Sequence, residues 1–290
     1  ILNVNNLIVY MTLHLIVNGV EKKEGSSLLV AAAEARKIPV NIVDVEKVDF
    51  FNLPKLERGD LLLRNSTYSR AIRVEKLIVR DDVSHFYQNA ALAISGRASS
   101  YFYNKQAGLP VIKSIPLLPT WESDFQEHVD YLGGFPLVMK ILGGQDGVGV
   151  IQVDTVEGLK SLVDYVRNIK GLVMLRSFVQ HDYYGRLVVV GDRVIASHRT
   201  YSVDEEFRTN ALGNTDEKKE GIVFSEEAQQ VAVQAVKSMG VEFGGVDILF
   251  SDNGEFFISE VNSPCAFYYT QDITGIDIAG AMVDYLAEKA

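Results

Sequence analysis

The spacing of apolar positions switches along the chain between alternation and a three-to-four-residue period, which separates strands from helices. Leu13 to Val17 reads as a strand, Ser27 to Arg36 as an Ala-rich helix and Val40 to Val45 as a second strand after Pro39. Asp60 to Arg64 is a third strand, followed by polar Asn65-Ser66-Thr67. Such alternation predicts a small open α/β domain over residues 1 to about 95, and it contains no phosphate-loop glycine pattern.

A second region starts at Gly96. Its first helix runs through Tyr103 and Lys105 to a glycine stop at Gly108, and Leu109-Pro110-Val111 resumes extended chain. The apolar strand Leu137-Val138-Met139-Lys140-Ile141 meets a glycine-rich turn, Gly143-Gly144-Gln145-Asp146-Gly147-Val148-Gly149. Flexible backbone beside a lysine suits phosphate, although a plain hairpin accounts for the same glycines. Thr155 to Ile169 is predicted as a surface helix with a stripe of Leu159, Leu162, Val163 and Val166. A buried strand over Leu172 to Val179 follows, then a hairpin of Arg186 to Val190 and Val194 to Arg199 across Gly191-Asp192. Arg199 ends that strand, where an arginine is ordinarily just solvated.

A long polar loop containing Phe207-Arg208-Thr209-Asn210 precedes a helix capped by Ser225, stopped by Gly240 and buried along Ala228, Val231, Ala235 and Met239. The last helix runs to Leu286, with Asp277 as candidate cap. Between these two helices, apolar runs flank Asn253-Gly254, a strong signal for a two-residue type I′ turn. That turn sets Asp247 directly opposite Glu260, with Asn262 on the same face because strand side chains alternate. Two opposed carboxylates repel by roughly 3 kcal/mol at an effective dielectric near 20. An all-oxygen set of this kind suits a hard cation such as Mg²⁺. A solvated polar sheet face with the register slipped by one residue explains the same pattern without a metal.

Composition narrows the choice. At 290 residues and 47% hydrophobic, the chain can bury a substantial core. A net charge of -10 and a pI near 5.1 argue against nucleic acid or an anionic membrane as the partner. Any anionic ligand must therefore meet local positive charge. A single cysteine, Cys265, excludes an intrachain disulfide framework and fits a cytoplasmic location. The apolar run from Leu7 to Val17 is too short to span a bilayer and lacks signal-peptide flanks; Met11 is a candidate natural start.

Taken in order, these parts resemble the ATP-grasp fold, and more narrowly its RimK-type branch of α-L-glutamate and lysine-biosynthesis ligases. The motifs that carry the resemblance are the Lys140 strand, the glycine-rich turn, the Val-Val-Gly-Asp hairpin, Phe207-Arg208-Thr209-Asn210, Gly245-Val246-Asp247-Ile248-Leu249 and Glu260-Val261-Asn262-Ser263-Pro264. The resemblance covers about residues 96 to 290 closely and the N-terminal domain only in outline. It implies an α/β (α+β) chain with an N-terminal pre-ATP-grasp domain over residues 1–95 and an ATP-grasp domain over 96–290. Residues from about 110 to 178 would form a mobile subdomain that clamps the nucleotide.

Carried over residue by residue, the resemblance implies ATP contacts from Lys140, from Gly143, Gly144, Gln145, Asp146, Gly147, Val148 and Gly149, and from the hinge Arg176, Ser177, Phe178 and Val179. Arg97 stands where many members have a second phosphate-contacting lysine. Asp247, Glu260 and Asn262 match the magnesium ligands, with Mn²⁺ as a substitute. Arg186, Arg199, Arg208 and Asn210 match groups that hold phosphate and the acyl-phosphate intermediate. Three departures stand out: Arg176-Ser177 in place of Gln-Glu in the hinge, Tyr184 where an Asp usually precedes the arginine, and Cys265 in place of glycine after Ser-Pro. At Cys265 a small buried residue is the favoured reading over a nucleophile.

The implied reaction joins a small-molecule carboxylate to an amine, each an amino acid or peptide, through an acyl phosphate. It requires no protein nucleophile, in keeping with five histidines that show no ligand spacing. The alternatives are a nucleotide-binding ATP-grasp protein without ligase activity and an ATP-grasp phosphotransferase. Relatives form dimers or tetramers, so a homo-oligomer is expected.

Overall fold

A computed structural model describes residues 3–4, 7–8, 11–19, 24–94, 99–116, 125–141, 147–201, 218–251 and 253–290. A two-stranded ribbon, β1 (Asn3–Val4) and β2 (Leu7–Ile8), opens the chain. Next come β3 (Leu13–Val17), α1 (Glu24–Ala35), β4 (Val40–Asp44), β5 (Leu61–Arg64), α2 (Ser69–Ile78) and α3 (Ala90–Ile94). β3 lies between β4 and β5 in a parallel sheet, and both of its faces are buried, as its unbroken apolar run requires.

The middle of the chain builds a second sheet. It contains α4 (Ser100–Gln106), β6 (Ser114–Ile115), α5 (Phe125–Leu132), β7 (Leu137–Ile141), β8 (Val150–Val153), α6 (Val156–Asn168) and β9 (Val173–Ser177). Strand order is β6-β9-β7-β8, antiparallel throughout. α6 starts where expected, with the Thr155 hydroxyl accepting from the Gly158 amide, and it buries Leu159 and Val166 against this sheet.

β10 (His181–Val190), β11 (Arg193–Tyr201), β12 (Lys219–Gly221), α7 (Glu226–Ser238), β13 (Phe243–Ser251), β14 (Phe256–Asn262), α8 (Phe267–Thr274) and α9 (Ile278–Lys289) complete the chain. Their sheet runs β12-β11-β10-β13-β14 and is the centre of the molecule. One face carries Leu187, Val189, Val246 and Ile248 against α7. The other carries Val188, Val190 and Phe243 against α8 and α9, with α1 packed on those two helices. The predicted caps hold: Ser225 accepts from the Ala228 amide and Asp277 from the Gly280 amide. α8 is a helix that the apolar pattern did not reveal. Its residues are β-prone, and burial of Phe267 and Thr270 on the central sheet holds it helical. No helix among the described residues is long and apolar enough to cross a membrane.

The β13–β14 hairpin corrects the expected turn. The Ser251 amide donates to the Glu255 carbonyl and the Gly254 amide to the Ser251 carbonyl, so three residues rather than two close the turn. Gly254 has φ +87°, the left-handed conformation that a three-residue loop needs. Pairing beside the turn joins Phe250 to Phe256 and Ile248 to Ile258, one residue short of the expected register. An extra residue, Ser259, then bulges from β14, and Asp247 falls opposite Glu260 after all.

Candidate active site

The sheet register assembles a charged row across four neighbouring strands. His198 on β11 faces Arg186 on β10, Arg186 faces Asp247 on β13, and Asp247 faces Glu260 on β14. Directly opposed residues project from one face. The row lies between two apolar clusters on that face: Tyr184, Leu249 and Ile112 on one side, Val188, Phe243 and Cys265 on the other. Tyr184, read as a departure from the expected aspartate, is thus a packing residue here.

Asp247 is 1% exposed and is held by Arg186, with Nε donating to Oδ1 at 2.6 Å and Nη2 to Oδ2 at 3.0 Å. Burial pushes the Asp247 carboxyl above the usual carboxylate range, and the guanidinium beside it works against that shift. His198 sits at the far end of the row with Nδ1 3.1 Å from the Thr270 hydroxyl. Burial, and secondarily the charge of Arg186, lowers its pKa to about 4, so the ring is neutral at pH 7.

The second sheet supplies the opposing charges. Lys140 Nζ on β7 lies 3.8 Å from Glu260 Oε2, and the Glu260 side chain is 46% exposed. Burial first and Arg176 second lower the Lys140 ammonium's pKa, while Glu260 and Asp247 oppose them. Arg176 on β9 is buried, and its Nη1 donates to the Ser259 carbonyl at 3.0 Å. Asn262 faces Gly245, two residues along from Glu260, and makes no side-chain hydrogen bond with another described residue. A Cβ on Gly245 would meet Arg186 Nη1 at 2.7 Å and Cys265 Cβ at 2.9 Å, so the glycine makes room for the guanidinium. Cys265 itself is buried and its thiol is pushed up to about 12, which keeps it protonated and unsuited to nucleophilic attack.

The structure therefore brings Lys140, Arg176, Arg186, Asp247, Glu260 and Asn262 together where the two sheets meet. Arg199, expected with Arg186 among the groups that hold phosphate and the acyl phosphate, is not brought there. It pairs with Gly185, one residue out of step, and projects from the opposite face. There it is ion-paired to Glu220, with its guanidinium 5.0 Å from the Tyr201 ring centroid and 5.6 Å from that of Tyr183.

Ser177 also turns from this site, its hydroxyl donating to the Leu132 carbonyl at 2.7 Å. Val179 packs beside Tyr184 and Leu249, and Phe178 links it to β9. Gly147 and Gly149 have φ +75° and +80°, and the Ile141 amide donates to the Gly149 carbonyl, so this half of the glycine-rich turn is a hairpin closure with Val148 exposed. Arg97, Gly143, Gly144, Gln145, Asp146, Arg208 and Asn210 lie outside the described residues. Sequence reading missed His198 as a member of the row; its place one residue before Arg199, in the strand hairpinned to Arg186, was the available signal. A cavity of about 870 Å³ lies elsewhere, beside Gly191, Asp192, Arg36 and Tyr285, and Arg36 there pairs with Asp277 and Asp284.

Comparison with known proteins places the chain by family and by fold. A RimK-like ATP-grasp domain matches residues 105–286. A probable alpha-L-glutamate ligase of Rhodopirellula baltica is 34% identical over 168 residues, covering 57% of this chain and 41% of that protein. A probable alpha-L-glutamate ligase 2 of Shewanella baltica is 33% identical over 171 residues, covering 58% of this chain and 56% of that protein. The chain thus spans about half the length of these relatives. Among solved structures, the ATP-grasp ligase PsnB complexed with minimal precursor superposes with a TM-score of 0.70 at 17% identity, covering 96% of this chain and 100% of that one. D-alanine–D-alanine ligase from Bacillus anthracis gives 0.67 at 18% identity, with 96% of each chain covered. At such identities the likeness is one of fold.

Proposed function

The chain belongs to the RimK-like ATP-grasp family, and on that premise we propose that it is an ATP-dependent ligase that joins a carboxylate to an amine. One observation carries this reading: Asp247 opposed to Glu260, with Lys140 Nζ 3.8 Å from the Glu260 carboxylate, where two sheets meet. Arg186 pairs with Asp247 and Lys140 lies beside Glu260, and the lone pairs left on these carboxylates, with the Asn262 amide oxygen, suit a hard cation carrying a bound anion.

Asp247, Glu260 and Asn262 offer only oxygen ligands, a donor set that fits Mg²⁺. Bound there, Mg²⁺ supplies charge neutralisation on phosphate oxygens. The chain's own residues do the rest. Lys140 holds the transferring phosphoryl group as a point charge from its place 3.8 Å from Glu260. Arg186 fixes the orientation of Asp247 through both carboxylate oxygens. The turn around Gly147 to Gly149, continuous with the Lys140 strand, closes over the phosphates, and the segment after Arg176 borders the nucleotide.

In the reaction, a substrate carboxylate oxygen attacks the γ-phosphorus and ADP departs with the bridging oxygen. The amine nitrogen then attacks the acyl carbon, and inorganic phosphate leaves with the carboxylate oxygen while the nitrogen loses a proton. No side chain of the protein forms a bond to substrate, consistent with a protonated Cys265. The relatives' names support an amino acid or a peptide end as substrate. We assign acceptor selection to residues 1–95 together with the loop from Val203 to Gly221, and nucleotide chemistry to the rest of residues 96–290.

Incubation with ATP, Mg²⁺ and pools of amino acids and peptides tests this. The expected result is ADP and phosphate released together with a product whose mass is the sum of two substrates less water. Glu260→Gln is expected to abolish that turnover with the fold retained. A phosphorylated hydroxyl product, or wild-type turnover in the variant, contradicts the assignment.

A further inference from the structure

β14 is the edge strand of the central sheet, so one side of its backbone lacks a strand partner. Three groups on that side are nevertheless taken by other segments. The Ile258 amide donates to the Pro110 carbonyl at 2.7 Å, the Ser259 carbonyl accepts from Arg176 Nη1 at 3.0 Å, and the Val261 amide donates to the Ser100 hydroxyl at 3.2 Å. They bracket the bulge on both sides, and the middle one is the bulged residue itself. Without the extra residue, the register beside the turn would set Ser259 opposite Asp247. Glu260 would then turn to the other face, among Val246, Ile248 and Ile258 in the apolar core.

Arg176 is an expensive way to hold one carbonyl. It is 6% exposed, and among the described residues its hydrogen-bond partners are neutral: the Ser259 carbonyl and, at 3.2 Å, Met174 Sδ. A buried cation with neutral partners costs stability unless an anion is held nearby, and Glu260, the residue after Ser259, is the carboxylate whose charge acts on it.

We infer that Arg176 is a positioning residue for the metal site: it latches the bulged Ser259 carbonyl and so fixes Glu260 opposite Asp247, tying the second sheet to the central one. This rests on the reading of Asp247, Glu260 and Asn262 as metal ligands. It gives Arg176 a task different from contact with adenine or ribose. Ser100 shares the task from the other side of Glu260.

The test uses the full chain with ADP, and Mn²⁺ as the probe, with free Mn²⁺ followed by its paramagnetic resonance signal. Arg176→Gln is expected to weaken Mn²⁺ in the ADP complex by about tenfold or more, the usual scale for an outer-shell residue. ADP affinity measured without metal stays at the wild-type value. Arg176→Lys, which keeps a donor, recovers part of the Mn²⁺ affinity. Ser100→Ala shifts it in the same direction by less, and carries the test if Arg176→Gln does not fold. Wild-type Mn²⁺ affinity in Arg176→Gln and Ser100→Ala overturns the inference. So does a loss of metal-free ADP affinity that accounts for the whole change, because Arg176 would then be a nucleotide contact. A wild-type protein that binds ADP and no Mn²⁺ overturns the metal assignment itself and this inference with it.

Discussion

Arg186 and Asp247 meet as direct cross-strand partners, and the guanidinium grips both carboxylate oxygens in a position almost closed to solvent. Removing one member leaves the other charge buried alone, at a cost of about 3–5 kcal/mol, whereas replacing both by apolar groups is often neutral. Asp247→Leu and Arg186→Leu are each expected to lower the melting temperature, and the double variant to regain much of the loss while remaining inactive. Additive losses in a thermal-denaturation cycle would show that the pair is not coupled.

His198 provides a pH signature. Its pKa falls from an ordinary 6.5 to about 4 on folding, so the unfolded chain binds the proton first. Its contribution is complete above the unfolded value and is lost as pH falls from about 6.5 through about 4, up to roughly 3 kcal/mol. Denaturant unfolding at a series of pH values should show this decline, and His198→Gln should flatten it. An unchanged slope in the variant assigns the decline to other groups.

Gly245 and Cys265 compete for the space that Arg186 fills. A methyl group at Gly245 would stand 2.7 Å from Arg186 Nη1 and 2.9 Å from Cys265 Cβ. Gly245→Ala should destabilise by about 1–3 kcal/mol, the usual cost of overpacking. Cys265→Gly alone is expected to retain turnover, and combined with Gly245→Ala to restore part of the lost stability. A Gly245→Ala protein as stable as wild type refutes the packing argument.

Arg199 and Arg186 lie on opposite faces of one sheet, so their substitutions should differ in kind. Arg199→Ala is expected to keep kcat within about threefold, under 1 kcal/mol in the barrier, while Arg186→Ala removes measurable turnover. Steady-state kinetics of the two variants decide. Equal, severe losses would restore Arg199 to the reacting groups.

How far the sequence reaches is clearest at the turn. Asp247 opposite Glu260 is correct, yet two displacements that cancel produce it: a three-residue loop in place of two, and a bulge at Ser259. Local signals such as the caps at Ser225 and Asp277 are legible because their partners lie three residues away. The Arg186–Asp247 pair is not, since it depends on β10 lying beside β13, far apart in sequence. The Arg176–Ser259 contact joins two different sheets, and no periodicity encodes such a meeting. The opposite face of Arg199 follows from register alone, which its resemblance to a family position does not carry.

The most direct measurement of the proposed chemistry follows oxygen. Substrate pools labelled with ¹⁸O in their carboxyl groups are turned over with ATP and Mg²⁺, and the released phosphate is examined by mass spectrometry. An acyl-phosphate route transfers a single ¹⁸O from the carboxylate to inorganic phosphate for each amide formed. Phosphate that carries no label while ADP accumulates would contradict carboxylate activation and with it the account of the Asp247–Glu260 site.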